Sequence, residues 1–393
     1  MGEWKNFKLS ELGEVIGGST PSTKREEYYG GNIAWITPKD LSGYQYRFIS
    51  KGSRNISEEG LNSCSLKMLP KNSILFTSRA PIGYVAIAEN DLCTNQGFKS
   101  IIPNENVDYM FMYYLMKYNK EIIEAMGSGT TFKEVSGTVM KNVYVKIPID
   151  KKEQQKISKI LSSLDEKIEI NRKINENLEE QAKEIFKYKF SNNDNYNMYR
   201  IGEYFDISIG KTPPRKEEQW FSKNESDIVW ISIADMKSSS IYINKSSEYI
   251  TNQAIIKHNI KIIPDNTVIL SFKLTIGRVA ITDGQVTTNE AIAHFKTDKK
   301  EITEYLYFYL KNFNYDTMGS TSSIASAINS KIIKSIPFMV PNEDDLLNFH
   351  RIVNPIFQQI KINQYEIQKL SLLRDELLPK LMTGEIDVSE IDI

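Results

Sequence analysis

The chain repeats a stretch of its own sequence, and this duplication constrains the fold more than any other feature. Residues 74–87 (ILFTSRAPIGYVAI) return at 268–281 (VILSFKLTIGRVAI), an offset of 194 residues. The tripeptide at 94–96 (TNQ) returns at 288–290 (TNE) with the same offset. A chain that encodes one structural unit twice is expected to form two similar domains, each with its own contact surface. The duplication therefore favours a long target with two halves over a single pocket.

Length and composition are those of a soluble globular protein with two domains. The 393 residues can form two hydrophobic cores, and 40% of them are hydrophobic and 25% charged. Cys64 and Cys93 have no second pair, which excludes a zinc site or a disulfide framework and fits a reducing cytoplasm. We find no signal peptide and no membrane-spanning run in the sequence. A net charge of −1 still permits DNA binding where cations cluster on one face.

The chain is predicted to consist of four segments: 1–150, the first globular domain; 151–190, a long central helix; 191–342, the second globular domain; and 343–393, a second long helix with a tail. Short β-type runs at 32–36, 73–77, 83–87 and 227–231 and helices at 109–118 and 302–310 predict an α+β fold for each domain.

Each long helix carries one apolar stripe, with apolar residues three and four positions apart. The stripes comprise Ile157, Ile160, Leu161, Leu164, Ile168, Ile174, Leu178, Ala182, Ile185 and Phe186, and then Leu346, Phe349, Val353, Ile356, Ile360, Ile367, Leu370, Leu373, Leu377 and Leu381. Pro355 predicts a kink or a helix start, and Gly384 a stop. Burying both stripes together predicts an antiparallel coiled coil with approximate two-fold symmetry. Packing of each helix on its own domain is the alternative.

The sequence offers little for catalysis. His258, His294 and His350 are isolated, so none has a second ligand at metal spacing. No phosphate-binding loop of the Gly-x-x-x-x-Gly-Lys-Ser/Thr type is present. The segment 354–357 (NPIF) lacks the second proline of the Asn-Pro-Pro-Tyr/Phe element of amino-methyltransferases. We therefore expect a non-catalytic chain that binds no cofactor or metal.

Four polar loops occupy matching places in the two halves, and their hydroxyl, amide and charged groups suit phosphates and base edges in the major groove. An ordinary turn is the alternative for the first loop pair. The candidate DNA-binding residues of the first half are Ser19, Thr20, Lys24, Arg25, Thr37, Lys39, Asp40, Arg79, Ser128, Thr130 and Lys133, and those of the second half are Lys211, Thr212, Arg215, Lys216, Ser232, Asp235, Lys237, Lys273, Ser320 and Thr321.

Over its whole length the chain resembles the specificity subunit of Type I restriction-modification systems. The segments that carry the resemblance are 147–157 (IPIDKKEQQKI), 185–187 (IFK), 377–386 (LLPKLMTGEI) and the Gly-Ser-Thr-Pro and Trp-Ile loops. The resemblance implies two target-recognition domains that each bind half of an interrupted double-stranded DNA target, with the coiled coil as spacer. It also implies two methyltransferase subunits that use S-adenosylmethionine to methylate adenine, and two restriction subunits that use ATP and Mg.

Alternatives stay open for the start of the second helix and for the function of the chain. At the start of the second helix, 341–346 (PNEDDL) stands in place of the family's Pro-x-x-x-x-Glu-Gln pattern, so partner docking there is expected to be less orthodox. A coiled-coil scaffold that binds only protein, or the recognition part of a single-chain methyltransferase-nuclease, are the alternative functions.

Overall fold

The computed structural model describes residues 2–129, 133–191, 196–238, 240–318 and 329–391. The chain divides into two compact units: the first is Met1–Ile170 with Ile367–Ile393, and the second is Asn171–Glu366. The division falls inside the two long helices, so each long helix contributes one part to each unit.

Helices are numbered along the described chain. They are α1 Leu9–Leu12, α2 Glu58–Asn62, α3 Tyr109–Tyr118, α4 Lys120–Ala125, α5 Gly137–Lys141, α6 Lys151–Phe190, α7 Ile201–Tyr204, α8 Asp235–Ser238, α9 Asn252–His258, α10 Thr303–Asn312, α11 Ser330–Lys334 and α12 Glu343–Thr383. Short 3₁₀ helices occupy Glu26–Tyr28, Glu218–Trp220, Lys300–Ile302 and Tyr315–Met318.

Strands are numbered in the same way. Those of the first unit are β1 Trp4–Lys8, β2 Gly13–Gly17, β3 Tyr29–Ile33, β4 Trp35–Ile36, β5 Phe48–Ile49, β6 Ile74–Ser78, β7 Ile82–Ala88, β8 Cys93–Thr94, β9 Lys99–Pro103 and β10 Tyr144–Pro148. Those of the second unit are β11 Asn197–Arg200, β12 Asp206–Ile209, β13 Phe221–Ser222, β14 Ile228–Ile231, β15 Tyr242–Ile243, β16 Tyr249–Ile250, β17 Val268–Ser271, β18 Val279–Thr282, β19 Thr287–Thr288, β20 Ile292–Lys296 and β21 Pro337–Val340.

A five-stranded mixed sheet forms the centre of the first unit, in the order β2-β9-β6-β7-β5. Only its edge pair β5–β7 is parallel. Strand β6 is buried along its whole length, and the residues 111–116 of α3 are buried in the same unit. The pairs β1–β10 and β4–β8 complete the unit, and β4–β8 is parallel. The apolar run of 74–78 is thus a central strand, as its composition indicates.

The second unit repeats this topology. Its five-stranded sheet has the order β12-β20-β17-β18-β15, which matches the first sheet strand for strand. The strand with Trp230 pairs in parallel with β19, just as the strand with Trp35 pairs in parallel with β8. The duplication and the α+β class predicted from the sequence are both confirmed.

The parts of the long helices pack into the core of the unit to which they belong. In the first unit Ile157 and Leu161 of α6 join the core together with Leu381 of α12. In the second unit Phe186 of α6 and Phe349 of α12 do the same. Packing of each helix on a domain, which the sequence left as the alternative, therefore occurs together with helix pairing.

Polar contacts join α6 to α12 within each unit. In the second unit Asn171 donates to Glu366 at 2.8 Å, and Asn363 donates to Asn175 at 2.8 Å. The partner number falls as the α6 number rises, so this pairing is antiparallel. In the first unit Arg374 donates to Asp165 at 2.6 Å.

Each of the two predicted apolar stripes is wrong at one position. Ile174 is 42% exposed and Leu373 is 45% exposed. The buried positions of α6 in this stretch are Asn171 and Asn175, which lie four residues apart and lead by spacings of three and four to Ala182. Ile174 lies beside this row of buried residues on the helix surface and therefore faces solvent.

Pro355 is not the start of a helix, because α12 begins at Glu343 and continues through it. The proline is exposed, so water can hydrogen-bond the Arg351 carbonyl that lacks its N–H partner. The predicted stop is confirmed, since α12 ends at Thr383 and Gly384 has a φ of 76°. Among the described residues, no helix has the length and apolarity needed to cross a membrane.

A buried ionic cluster ties the sheet of the first unit to α6. Arg47, next to β5, is 4% exposed and contacts Glu169 at 3.0 Å. Tyr114 of α3 donates to Asp165 at 2.7 Å, and Asp165 also binds Arg374. Charged groups at this depth require partners, and here each has one. The sheet that carries the loops described below is thus fixed on the helix.

Candidate nucleic-acid interface

In the first unit the predicted loops meet around residues 94–97. The Ser19 N–H donates to the Thr94 carbonyl at 3.0 Å, and the Thr20 hydroxyl donates to the Gln96 side chain. The TNQ repeat, which the sequence showed without assigning a role, therefore lies directly beside the Gly-Ser-Thr-Pro loop.

The same segment touches the second and third loops. The Asn95 N–H donates to the Ile36 carbonyl at 3.0 Å, where β4 ends and the 37–40 loop begins. The Ser78 N–H donates to the Gly97 carbonyl at 2.7 Å, next to Arg79. Three separate loops of the sequence thus become neighbours through backbone hydrogen bonds to residues 95–97 and Thr94.

The fourth loop reaches this cluster through Glu134. Its backbone exchanges hydrogen bonds with Ser128 at 3.0 and 2.9 Å. Its carboxylate lies 3.4 Å from Arg79 and 3.4 Å from Lys99. Ser128 and Arg79, both predicted, are brought together by Glu134, which binds Ser128 through its backbone and Arg79 through its carboxylate, and which sequence reasoning did not find.

The second unit builds the corresponding arrangement. The Lys211 N–H donates to the Thr288 carbonyl at 2.9 Å, and the Thr212 hydroxyl donates to Glu290. The Phe272 N–H donates to the Ala291 carbonyl at 2.9 Å, and Lys273 is the next residue after this contact. The segment 288–291 therefore holds the first and third loops of this unit as 94–97 does in the other.

The tryptophan strands anchor the first loop in both units. The Trp35 indole donates to the Ser19 carbonyl at 3.2 Å, and the Trp230 indole donates to the Lys211 carbonyl at 3.4 Å. Both rings are buried. A tryptophan buried in this way requires a hydrogen-bond acceptor, and the loop backbone supplies it.

Asp40 closes the second loop of the first unit. Its carboxylate accepts hydrogen bonds from the Thr37 N–H at 2.8 Å, the Thr37 hydroxyl at 2.6 Å and the Ser53 N–H at 2.8 Å. Partial burial alone would raise the pKa of Asp40, but these hydrogen bonds hold it below its usual value. Asp40 and Thr37 therefore bind each other and order the loop.

Asp235 makes the same contacts in the second unit. It accepts from the Ser232 N–H at 2.8 Å, the Ser232 hydroxyl at 2.6 Å and the Ser247 N–H at 2.9 Å. The Arg278 guanidinium adds a hydrogen bond of 2.6 Å to the Ile233 carbonyl. Ser232 and Asp235 thus shape this loop, in which Lys237 is exposed.

The predicted cations fall into two groups. Arg25 and Arg215 each contact a carboxylate, Glu27 at 3.2 Å and Glu248 at 2.8 Å respectively, and Arg215 also stacks over the Trp230 ring. The predicted lysines form no ion pair in the described part of the chain and are exposed: Lys24, Lys39, Lys133, Lys211, Lys216, Lys237 and Lys273. Exposed lysines of this kind suit phosphate contacts, whereas these two arginines already contact a carboxylate.

Three predicted residues, Thr130, Ser320 and Thr321, lie outside the described residues. The structure adds others that the prediction omitted: Gln96, Lys99, Glu134 and Glu290. The signal for Gln96 and Glu290 was available, because both belong to the repeated tripeptide. Lys99 and Glu134 are joined only by the folded sheet and loop, so no local pattern indicated them.

A family model now decides the class of protein. The model for the Type I restriction modification DNA specificity domain matches residues 1–180 and again 193–372. The chain belongs to this family. Both matches fall on the duplicated units, so each copy is a specificity domain in its own right.

Relatives along the full length agree with this family. The chain is 36% identical to the Type I restriction enzyme MjaIX specificity subunit of Methanocaldococcus jannaschii, over 99% of this chain and 95% of the relative. It is 22% identical to the HindI specificity subunit of Haemophilus influenzae, over 98% and 100%. The crystal structure of a Type I system S subunit from M. genitalium has the same fold, with a TM-score of 0.58 and 18% identity over 97% of this chain and 96% of that one.

Proposed function

We propose that this chain recognises an interrupted, two-part DNA target for a Type I restriction-modification complex, each domain binding one half. The observation that carries the proposal is the pairing of one shared frame with two different sets of loop side chains. Strand order, Trp anchors and loop-closing aspartates are the same in both units. A shared frame with different contact groups is what recognition of two different half-sites requires.

The differences lie where base contacts would be made. Arg79, Lys99 and Glu134 form an ionic group in the first unit, whereas the second has Lys273 at the first of these positions and Ala293 at the second. Gln96 of the first unit is replaced by Glu290. Arginine and lysine donate to guanine, glutamine pairs with adenine, and glutamate accepts from cytosine, so the two sets favour different sequences.

The proposed role of the chain within the complex is non-catalytic. Two methyltransferase subunits that use S-adenosylmethionine to methylate adenine, and two restriction subunits that use ATP and Mg, would supply the chemistry. The specificity family to which the chain belongs supports this division of labour. The long helices α6 and α12 are the proposed docking elements for the methyltransferase subunits.

An electrophoretic shift assay with the purified chain and its methyltransferase subunit tests the proposal. One duplex sequence among genomic fragments is expected to bind at least tenfold more tightly than the others, and Arg79→Ala should weaken binding or relax one half-site. Lys71→Ala is the matched control, because it also removes a cation but lies before β6, at the opposite end of that strand from Arg79. Binding without sequence preference would contradict the proposal, and an unchanged Arg79→Ala complex would favour a protein-binding scaffold.

A further inference from the structure

The loop between β17 and β18 presents an exposed leucine in an unusual backbone conformation. Leu274 is 86% exposed and has a φ of 62°. Left-handed backbone is uncommon for residues other than glycine and is an outlier for bulky ones. An apolar side chain that is both conformationally disfavoured and left in water has no stabilising role in the fold, so a function in contact with another molecule is the better explanation.

Hydrogen bonds around Ser271 hold this conformation. The Ser271 hydroxyl donates to the Thr275 carbonyl at 2.7 Å and accepts from the Arg278 N–H at 3.1 Å. The Ser271 carbonyl accepts from the Gly277 N–H at 3.1 Å. The position of Leu274 is therefore set before any ligand arrives, which lowers the entropic cost of a contact.

The first unit contains the same loop with a smaller side chain. Ala80 is the repeat counterpart of Leu274 and has a φ of 52°. The Thr77 hydroxyl donates to the Pro81 carbonyl at 2.8 Å and accepts from the Tyr84 N–H at 2.8 Å, as the Ser271 hydroxyl does in the second unit. The left-handed residue is thus a property of the shared frame, while its side chain differs between the two domains.

The surroundings of Leu274 are those of the candidate DNA interface. Lys273 precedes it and is exposed, and Phe272 is hydrogen-bonded to the 288–291 segment. Partial burial raises the pKa of Glu290, but the hydrogen bond from Thr212 and the positive charges of Lys273 and Arg215 lower it overall. The loop therefore lies among cations that suit a polyanion.

We infer that Leu274 makes an apolar contact with a base edge in the half-site bound by the second domain, and so contributes to its specificity. The inference rests on the proposed function. The C5-methyl group of thymine is the apolar feature of the major groove that such a side chain can detect. In the first domain Ala80 would present only a methyl group at the same place, so the two half-sites would differ at this position.

The test is adenine methylation across the genome in cells that carry the wild-type chain or Leu274→Ala with the native partner subunits. Leu274→Ala is expected to relax one or two positions of one half-site, lowering discrimination there on the order of tenfold, and to leave the other half-site unchanged. Leu274→Gly removes the backbone strain as well as the side chain. It should relax the same positions while its thermal unfolding temperature stays equal or rises.

Met198→Ala is the control for loss of an exposed apolar side chain. Met198 is 61% exposed and lies in β11, which pairs with β21 and not with the sheet that carries this loop. The inference is overturned if Leu274→Ala keeps full discrimination in both half-sites, or if both half-sites weaken equally. A wild-type chain that directs methylation to no two-part target would instead overturn the proposed function itself.

Discussion

Single aspartates shape the loops of the candidate interface. Asp40 and Asp235 each accept three hydrogen bonds from a neighbouring hydroxyl residue and from a backbone N–H some twelve or thirteen residues away. Such carboxylates join two stretches of chain at a charge-assisted contact. Their first role is thus to position the exposed groups beside them, such as Lys39 and Lys237.

Asp40→Ala is expected to destabilise the first unit by about 1–3 kcal/mol, because the Thr37 and Ser53 donors lose their acceptor. Urea unfolding measures the change in the free energy of unfolding, and hydrogen exchange of the folded protein measures the order of the loop. Lys39→Ala is the matched control, since Lys39 is exposed and should alter stability by no more than about 0.5 kcal/mol. Equal stability of the two variants would show that Asp40 is not needed to order the loop.

His294 gives the second unit a pH dependence. Its ring is fully buried, with Ser208 at 3.0 Å and Thr288 at 2.7 Å, and burial, assisted by Lys296 and Lys261, lowers its pKa to about 3. The unfolded chain binds a proton near pH 6.5, whereas the folded chain does not until about pH 3. The contribution of His294 to the free energy of unfolding is therefore fully present above pH 6.5 and falls as the pH is lowered towards 3.

The measurement for His294 is the free energy of unfolding as a function of pH in wild type and His294→Gln. The wild-type curve should fall more steeply below about pH 6.5 than that of the variant. His258→Gln controls for the loss of a histidine elsewhere in the second unit. Parallel wild-type and His294→Gln curves would mean that His294 does not govern this dependence.

Among the elements, the long helices have the most unexpected interior. In the second unit Asn175 and Asn363 are 5% and 6% exposed and hydrogen-bond to each other. A buried polar pair between helices stabilises less than leucine would, but it favours one register over the alternatives. These residues are therefore suited to setting the alignment of α6 with α12.

Asn175→Leu should lower stability by about 1–3 kcal/mol, because the buried Asn363 amide N–H loses the side-chain oxygen that accepts its hydrogen bond. The double variant Asn175→Leu/Asn363→Leu should recover most of that loss. A double-mutant cycle by chemical unfolding measures the coupling. Additive effects of the two substitutions would show that the pair does not act as a unit.

The elements differ in how far the sequence predicted them. The bounds of α3 and α6 were predicted to the residue, because uninterrupted helical periodicity is a strong signal. Which residues of α6 are buried was not predicted correctly, because the apolar Ile174 is exposed and the polar Asn171 is buried. The grouping of loops around 94–97 also lay beyond the sequence, because backbone hydrogen bonds between distant segments leave no local pattern. The matching places of the polar loops in the two halves were visible in the sequence, whereas the Lys99–Glu134 pair was not.

For the whole molecule, the duplication has a direct functional consequence. Both copies keep the same sheet order and the same left-handed loop residue, while the groups on the loops differ. Two domains with one frame and different contacts should be separable in function. Exchanging one domain is therefore expected to alter recognition of one half of the target and to spare the other.

Genome-wide mapping of adenine methylation after replacement of residues 1–150 with the corresponding domain of another family member tests the central claim most directly. The account predicts a new sequence in one half of the methylated target and an unchanged sequence in the other half. A change in both halves, or an unaltered target, would contradict it.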